Sequence, residues 1–191
     1  MAVKPDDPLS NFLLACLPEE DFKRFAAKLE PVPCKLGRVI YESGDRLEFA
    51  YFPTTVIISM LYVMQNGATA EIGVVGNDGV LGNAMILGGE TTTSRAVVQS
   101  AGFAFKMKRA DLEEEFRLGG KFQDLMLRYT QALMTQISQT AVCNRLHNIE
   151  QQFCRWLLIS HDRLDSDRLV MTSVSAAKAS PSPPKNSPPA A

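Results

Sequence analysis

Cysteine is the residue type in this sequence that most readily binds metals or carries redox chemistry. Cys16, Cys34, Cys143 and Cys154 are scattered along the chain and form no Cys-x-x-Cys pair. Zinc and iron–sulfur sites need clustered thiolates, so we expect neither of them. The pattern instead favours four reduced thiols in a cytoplasmic protein that holds no metal.

Histidine is equally poorly placed for catalysis. Both histidines, His147 and His161, fall in the C-terminal third of the chain, and residues 32–107 contain none. Metal-dependent oxygenases and haem sensors both need histidine ligands at the bound metal or haem, and this segment offers none. No Ser/His/Asp arrangement for nucleophilic catalysis is visible either. The chain is therefore not expected to be an enzyme.

The composition is that of a globular protein without a global charge bias. The 191 residues are 46% hydrophobic and 21% charged, and the net charge is −1. This length accommodates one domain of about 100–150 residues plus appendages, and no Lys/Arg cluster offers a nucleic-acid-binding patch. The longest apolar stretches, such as 56–63, fall well short of the roughly 20 residues that span a bilayer, so no membrane insertion is expected.

The predicted secondary structure changes twice along the chain, from helix to strand and back to helix. Ser10 is predicted to cap a short helix through Leu17, and Pro18 opens a second helix that ends near Glu30. From residue 32 to 107 the pattern changes towards period two, and eight of the twelve glycines lie between 67 and 102. These features predict a small antiparallel barrel or jelly roll. The predicted strands are 38–41, 49–52, 55–63, 69–75 and 95–106, with a hairpin turn at Asn66-Gly67.

Residues from Asp111 onward are predicted to be helical. Gly119-Gly120 separates a first segment from a long helix, 121–144, and another helix follows over 147–163. At 1.5 Å per residue the long helix measures about 36 Å, more than a small barrel covers, so part of it is predicted to pair with a second copy of the chain. The predicted interface residues are Phe122, Met126, Tyr129, Leu133 and Ile137.

This order of parts resembles the Crp/Fnr family of bacterial transcription regulators. The resemblance covers about residues 10–172 and rests on NFLLACLP at 11–18, GRVIYESG at 37–44, YFP at 51–53 and QISQTAVCNR at 136–145. It implies a cyclic-nucleotide-binding-like sensor domain over 10–110, with a mainly β jelly roll, or double-stranded β-helix, behind N-terminal helices. It also implies a long dimerisation helix over 111–145. In that family a winged helix-turn-helix domain then binds DNA.

The resemblance also implies where an effector would bind. Cyclic-nucleotide-binding members hold the ligand with a Gly-Glu pair, whose carboxylate takes the ribose hydroxyl, and with an arginine for the phosphate. Here Gly82 fits the glycine position, Asn83 replaces the glutamate, and Arg95 is the candidate phosphate ligand. Ser138 and Thr140 lie where the dimer helix of such members touches the ligand. The open alternatives are a cyclic nucleotide, another small effector, or a site that serves structure alone.

The chain departs from that family after Thr172. Residues 146–172 resemble the start of the helix-turn-helix domain, but 173–191 are rich in Ser, Pro and Ala, and five prolines between 181 and 189 exclude two consecutive helices. These residues are predicted to form a disordered tail. Two origins are open: a truncated or frame-shifted gene, or a natural linker. The expected function is the effector-sensing and dimerisation part of a regulator whose DNA-reading motif is missing. The alternative is a stand-alone small-molecule-binding or dominant-negative interaction protein.

Overall fold

The computed structural model describes residues 7–164, and the first part of that range is helical. A 3₁₀ helix, Pro8–Ser10, leads into α1, Phe12–Ala15, and α2, Glu19–Ala26. Asn11, and not the predicted Ser10, caps α1: its Oδ1 accepts hydrogen bonds from the Leu13 and Leu14 amides at 3.2 and 3.3 Å. Ser10 belongs to the preceding turn, in which its amide donates a hydrogen bond to the Asp7 carbonyl at 3.0 Å. The predictions for 165–172 and for the tail at 173–191 lie outside the described residues.

Seven strands follow within the described range and form two antiparallel sheets. One sheet has the order β1-β7-β3 and the other β2-β6-β4-β5. This arrangement confirms the predicted jelly roll with a mainly β core, N-terminal helices and a long C-terminal helix. The strands are β1 (Glu30–Cys34), β2 (Val39–Tyr41), β3 (Phe49–Pro53), β4 (Ile57–Val63), β5 (Thr69–Val75), β6 (Arg95–Ser100) and β7 (Gly102–Lys108).

The first strand departs from the prediction. The second helix ends at Ala26 and not near Glu30, and the segment that follows it pairs with β7 although it contains Pro31 and Pro33. Proline cannot donate to a sheet, so it is confined to positions where the N–H would face away from the neighbour. β1 satisfies this condition because it lies at the edge of its sheet.

The predicted strand 95–106 is in fact two strands. It divides at Ala101, and β6 and β7 belong to different sheets. Gly102 permits this crossing, since a Cβ at that position would lie 2.5 Å from the carbonyl carbon of Thr55. The chain therefore turns from one sheet to the other at a point where only glycine fits.

Three helices complete the described part of the chain. They are α3 (Arg109–Arg117), α4 (Gly120–Leu146) and α5 (Ile149–His161). Gly119 and Gly120 have φ angles of 76° and 69°, which produces the predicted break before α4. Asn148 and Gln151 form a reciprocal capping box that starts α5. None of the helices found between residues 7 and 164 is long and apolar enough to cross a membrane.

Two apolar clusters fill the interior. The first joins the N-terminal helices to α3, α4 and β3, and Phe25 lies at its centre, with ring centroids 5.4 Å from Phe52 and 4.8 Å from Phe122. The second contains side chains of both sheets, among them Tyr51 of β3 and Ile58 of β4. Helix α4 contributes to both clusters and so connects the two ends of the core.

Helix α5 folds back onto the barrel. Ser160 near its end is fully buried, and its Oγ accepts a hydrogen bond from Gln99 Nε2 of β6 at 3.2 Å. A buried hydroxyl paired with a buried carboxamide fixes relative position, because separating them would leave polar atoms without partners. The segment after α4 is thus attached to the β barrel itself.

Candidate effector-binding site

The predicted glycine and asparagine of the effector site lie at a sharp turn. Gly82 has a φ of 103° and precedes a 3₁₀ helix, Asn83–Leu87, which Gly88 ends with a φ of 84°. A Cβ at Gly82 would lie 3.3 Å from Ala50 Cα, so glycine is needed there both for conformation and for close packing on β3. Asn83 is half-buried and offers a neutral carboxamide at this turn.

Arg95 opens β6 beside Glu42. Its Nε lies 3.2 Å from Glu42 Oε2, within ion-pair distance. The N–H is not aligned with that oxygen, however, and within the described chain Nε is buried without a hydrogen-bond acceptor. We therefore regard the pair as an electrostatic contact and not as a hydrogen bond. A guanidinium donor without an acceptor is suited to an anionic oxygen.

A cluster of hydroxyl groups precedes Arg95. Thr92 Oγ1 and Ser94 Oγ lie 3.1 Å apart, and both side chains hydrogen-bond with the Tyr41 hydroxyl. Burial raises the pKa of Tyr41 above its usual value, and these two hydrogen bonds partly offset the effect. The loop is held in place by the Gly44 amide, which donates to the Thr92 carbonyl at 2.7 Å. This cluster was not predicted, although the run TTTS at 91–94 is a signal for it.

The two candidate ligands on α4 face in different directions. Thr140 is 7% exposed and donates to the Gln136 carbonyl, whereas Ser138 is exposed and donates to the Met134 carbonyl. Residues two apart on a helix lie about 200° apart around its axis. The structure therefore does not place Ser138 and Thr140 on a common surface.

The predicted apolar stripe of α4 packs against the chain's own core. Phe122, Met126 and Leu133 are 4%, 0% and 6% exposed within the single chain, and Tyr129 and Ile137 pack against the same clusters. Within the single chain little of these side chains is left for a dimer interface, and their assignment to one stays a prediction. The barrel alone does not cover this length of helix: α4 first packs on the N-terminal helices and then on β5, and together these surfaces cover most of its apolar stripe.

Tyr129, a partly buried side chain of that stripe, packs tightly against Gly79. A Cβ at Gly79 would lie 2.6 Å from its Cε2 and Oη atoms, so the ring occupies the space that a larger residue would need. Val80 provides a backbone hydrogen bond to the hydroxyl. Burial, followed by the negative charge of Asp78, raises the pKa of Tyr129 far above its usual value.

Helix α4 leaves a second line of side chains exposed, on the side opposite the barrel. Leu127 and Met134 are 50% and 59% exposed, and Gln131, Ser138 and Ala141 are exposed along the same line. The spacings of four, three, four and three residues are those of a coiled-coil seam. We call these five residues the exposed seam.

Comparisons with known proteins bear on the barrel region. Residues 31–117 match the family model of the cyclic nucleotide-binding domain. The c-di-GMP responsive global regulator CLP of Xanthomonas campestris aligns with a TM-score of 0.63 at 12% identity, over 78% of this chain and 74% of its own. The N-terminal domain of a transcriptional regulator from Streptomyces coelicolor A3(2) aligns with a TM-score of 0.51 at 16% identity, over 73% and 95%.

A third structure extends the likeness in fold. The catabolite activator protein of Thermus thermophilus aligns with a TM-score of 0.53 at 16% identity, over 72% of this chain and 61% of its own. No curated protein matches the chain in sequence. The family match and the architecture agree, and residues 31–117 are therefore a domain of the cyclic nucleotide-binding family fold, whose structural neighbours include Crp-like regulators.

Proposed function

We propose that this chain is the effector-sensing and dimerisation part of a Crp/Fnr-type transcription regulator, without the DNA-reading motif. The observation that carries the proposal is the two-sided character of α4. One face completes the core of the sensor domain, and the other carries the exposed seam. Helix α4 would thus belong both to the sensor domain and to the contact between two copies of the chain. A structural change at the effector site would then alter how the two copies associate.

The proposed effector is a small molecule with an anionic group, held near the turn at Gly82 and by Arg95. The Nε of Arg95, which has no acceptor among the described residues, supports this assignment. Asn83 lacks the charge that a carboxylate would offer to a ribose hydroxyl, so a cyclic nucleotide would bind weakly. Another small anionic effector therefore fits the site better.

Sedimentation of the full chain tests the proposed homodimer. Replacing Leu127 and Met134 together by Glu should give monomers, because like charges would then face one another across the seam. Leu158→Glu is the matched control, since Leu158 is 65% exposed on α5 and lies outside the seam. A dimer that survives the double substitution, or a wild-type monomer, would contradict the proposal.

We further propose that the chain by itself does not bind DNA sequence-specifically. Residues 173–191 carry only two basic side chains, Lys178 and Lys185, which could neutralise about two phosphates. A gel-shift assay at about 0.15 M salt, with fragments from the gene's own upstream region, should show no discrete complex. A sequence-dependent complex of nanomolar affinity would mean that residues 146–191 form a DNA-binding element.

The second candidate function is a stand-alone small-molecule-binding or interaction protein that pairs with an intact relative. The return of α5 to the barrel favours it, because the hydrogen bond between Gln99 and Ser160 closes the described part of the chain on itself. Mixing with a DNA-binding relative would distinguish the two: loss of that relative's DNA complex supports the interaction protein. The four free cysteines favour a reducing bacterial cytoplasm for either function.

A further inference from the structure

A cavity of about 480 Å³ lies outside the barrel, between β5, the second half of α4 and α5. Gly82 and Arg95 do not line it, so it is separate from the candidate effector site. Its volume falls within the roughly 300–1,000 Å³ that small-molecule sites occupy. The cavity is therefore large enough for a ligand with one or two aromatic rings.

An aromatic wall forms the α5 side of this cavity. Phe153 and Trp156 both line it, and their ring planes are nearly parallel, at 13°, with centroids 6.1 Å apart. Ile149 and Ile159 extend the same apolar wall. Flat, half-buried aromatic faces of this kind favour a ligand that is itself aromatic.

Two oppositely charged side chains line the cavity, Arg155 on α5 and Glu71 on β5. Arg155 lines the wall beside Trp156 and has no ion pair with any carboxylate in the described chain. The other charged side chain, Glu71, accepts a hydrogen bond from Ser59 and is directed to β4. A free guanidinium beside an aromatic wall is suited to a planar anionic group.

The polar groups opposite the aromatic wall are fixed in place. Gln136 Oε1 accepts the Val74 amide at 2.8 Å, which leaves the amide nitrogen of the same side chain as a donor. A Cβ at Gly73 would lie 3.1 Å from Gln136 Oε1, so glycine in β5 allows this approach. Thr140 is held by its hydrogen bond to the Gln136 carbonyl. The site is thus pre-formed, with one rigid polar side and one aromatic side.

We propose that this cavity binds a flat aromatic anion, such as an aromatic carboxylate or sulfonate, with its rings against Phe153 and Trp156 and its anionic group on Arg155. The proposal does not depend on the effector site at Arg95. Because β5 and α5 form opposite walls, such a ligand would contact both the barrel and α5. It would therefore stabilise the folded-back position of α5.

Trp156 provides a reporter within the site, since it is the single tryptophan of the chain. We would titrate the full chain with anilinonaphthalene sulfonate, an aromatic anion, and with its uncharged parent, N-phenylnaphthylamine. The expected results are energy transfer from Trp156 to the bound sulfonate and tighter binding of the sulfonate than of the uncharged compound. Absence of energy transfer, or equal affinity for both compounds, would overturn the proposal.

Substitutions then separate the two contacts. Arg155→Gln should weaken sulfonate binding about tenfold and change the binding of the uncharged compound by less than about twofold. Trp156→Leu, followed by the emission of the directly excited probe, should weaken the binding of both. Arg155→Lys, which keeps the charge, should retain most of the affinity, and Arg117→Gln is the control because Arg117 lies on α3 and does not line the cavity. Sulfonate binding that neither Arg155→Gln nor Trp156→Leu weakens would place the probe elsewhere and refute the site.

Discussion

Arg163, just beyond α5, forms a two-pronged ion pair with Asp78 in the loop after β5. Arg163 Nε lies 3.0 Å from Asp78 Oδ1, and Nη2 lies 2.7 Å from Oδ2. The stem of the arginine covers Gly76, where a Cβ would lie 2.7 Å from Arg163 Cδ. Together with the hydrogen bond between Gln99 and Ser160, this pair attaches α5 to the barrel at two points.

A double-mutant cycle with Arg163→Gln and Asp78→Asn should give a coupling energy of about 1 kcal/mol. The pair is bidentate, but Asp78 is 43% exposed and solvent screens it. Urea unfolding would measure the coupling. The exposed pair of Arg128 and Asp124 is the control, and its coupling should stay below about 0.5 kcal/mol. Equal couplings for the two pairs would mean that the contact at Asp78 does not hold α5.

Alanine substitutions should distinguish the two faces of α4. Leu133→Ala removes a side chain that is 6% exposed in the core, and should lower the free energy of unfolding by about 2–4 kcal/mol without changing the oligomeric state. Leu127→Ala should weaken pairing of two chains and cost the isolated subunit less than about 0.5 kcal/mol. Urea unfolding and sedimentation of both variants test this directly. If the two effects were reversed, the interface would be the stripe that contains Leu133 and not the exposed seam.

Calorimetry should show weak or absent affinity for cyclic AMP, with a dissociation constant above about 10 µM. Glu42 competes with any ligand for Arg95, so Glu42→Gln should strengthen binding by up to about fivefold. Arg95→Ala should abolish what binding there is. Wild-type binding tighter than this limit, and lost in Arg95→Ala, would show that Asn83 replaces the carboxylate without loss.

Tyr129 should make stability fall at alkaline pH. Its pKa is raised in the folded state, so the folded protein retains a proton that the unfolded chain releases near pH 10. The stabilising contribution is complete below about pH 10 and is lost as pH rises above that value. Urea midpoints between about pH 8.5 and 11 should therefore decline less steeply in Tyr129→Phe than in the wild type. Parallel declines would show that the buried hydroxyl does not titrate on unfolding.

Local patterns predicted most of the fold because turns and period-two runs are determined by neighbouring residues. The break at Gly119-Gly120 is an example, since positive φ angles at glycine end a helix wherever it lies. β1 was missed for the opposite reason. Pro31 argues against a strand locally, and only the position of that strand at a sheet edge, a long-range property, makes it acceptable.

The site was less predictable because it depends on contacts between distant segments. Periodicity identified the apolar face of α4 but not the surface that covers it. The hydroxyl cluster needs Tyr41 to meet Ser94, and the attachment of α5 needs Gln99 to meet Ser160 across 61 residues of chain. Neither contact can be predicted from the spacing of neighbouring residues, because both contacts depend on how the strands assemble into sheets.

The attachment of α5 to the barrel fixes the length of α4. One residue inserted between Leu133 and Leu146 would rotate all that follows by about 100°, which would carry Ser160 away from Gln99. Seven inserted residues would restore the rotation to within about 20°, but they would displace α5 by about 10 Å along the axis. Proteins that keep the contacts of Ser160 and Arg163 must therefore diverge along α4 by substitution alone. Insertions or deletions there would mark relatives in which the barrel and the segment after α4 have become uncoupled.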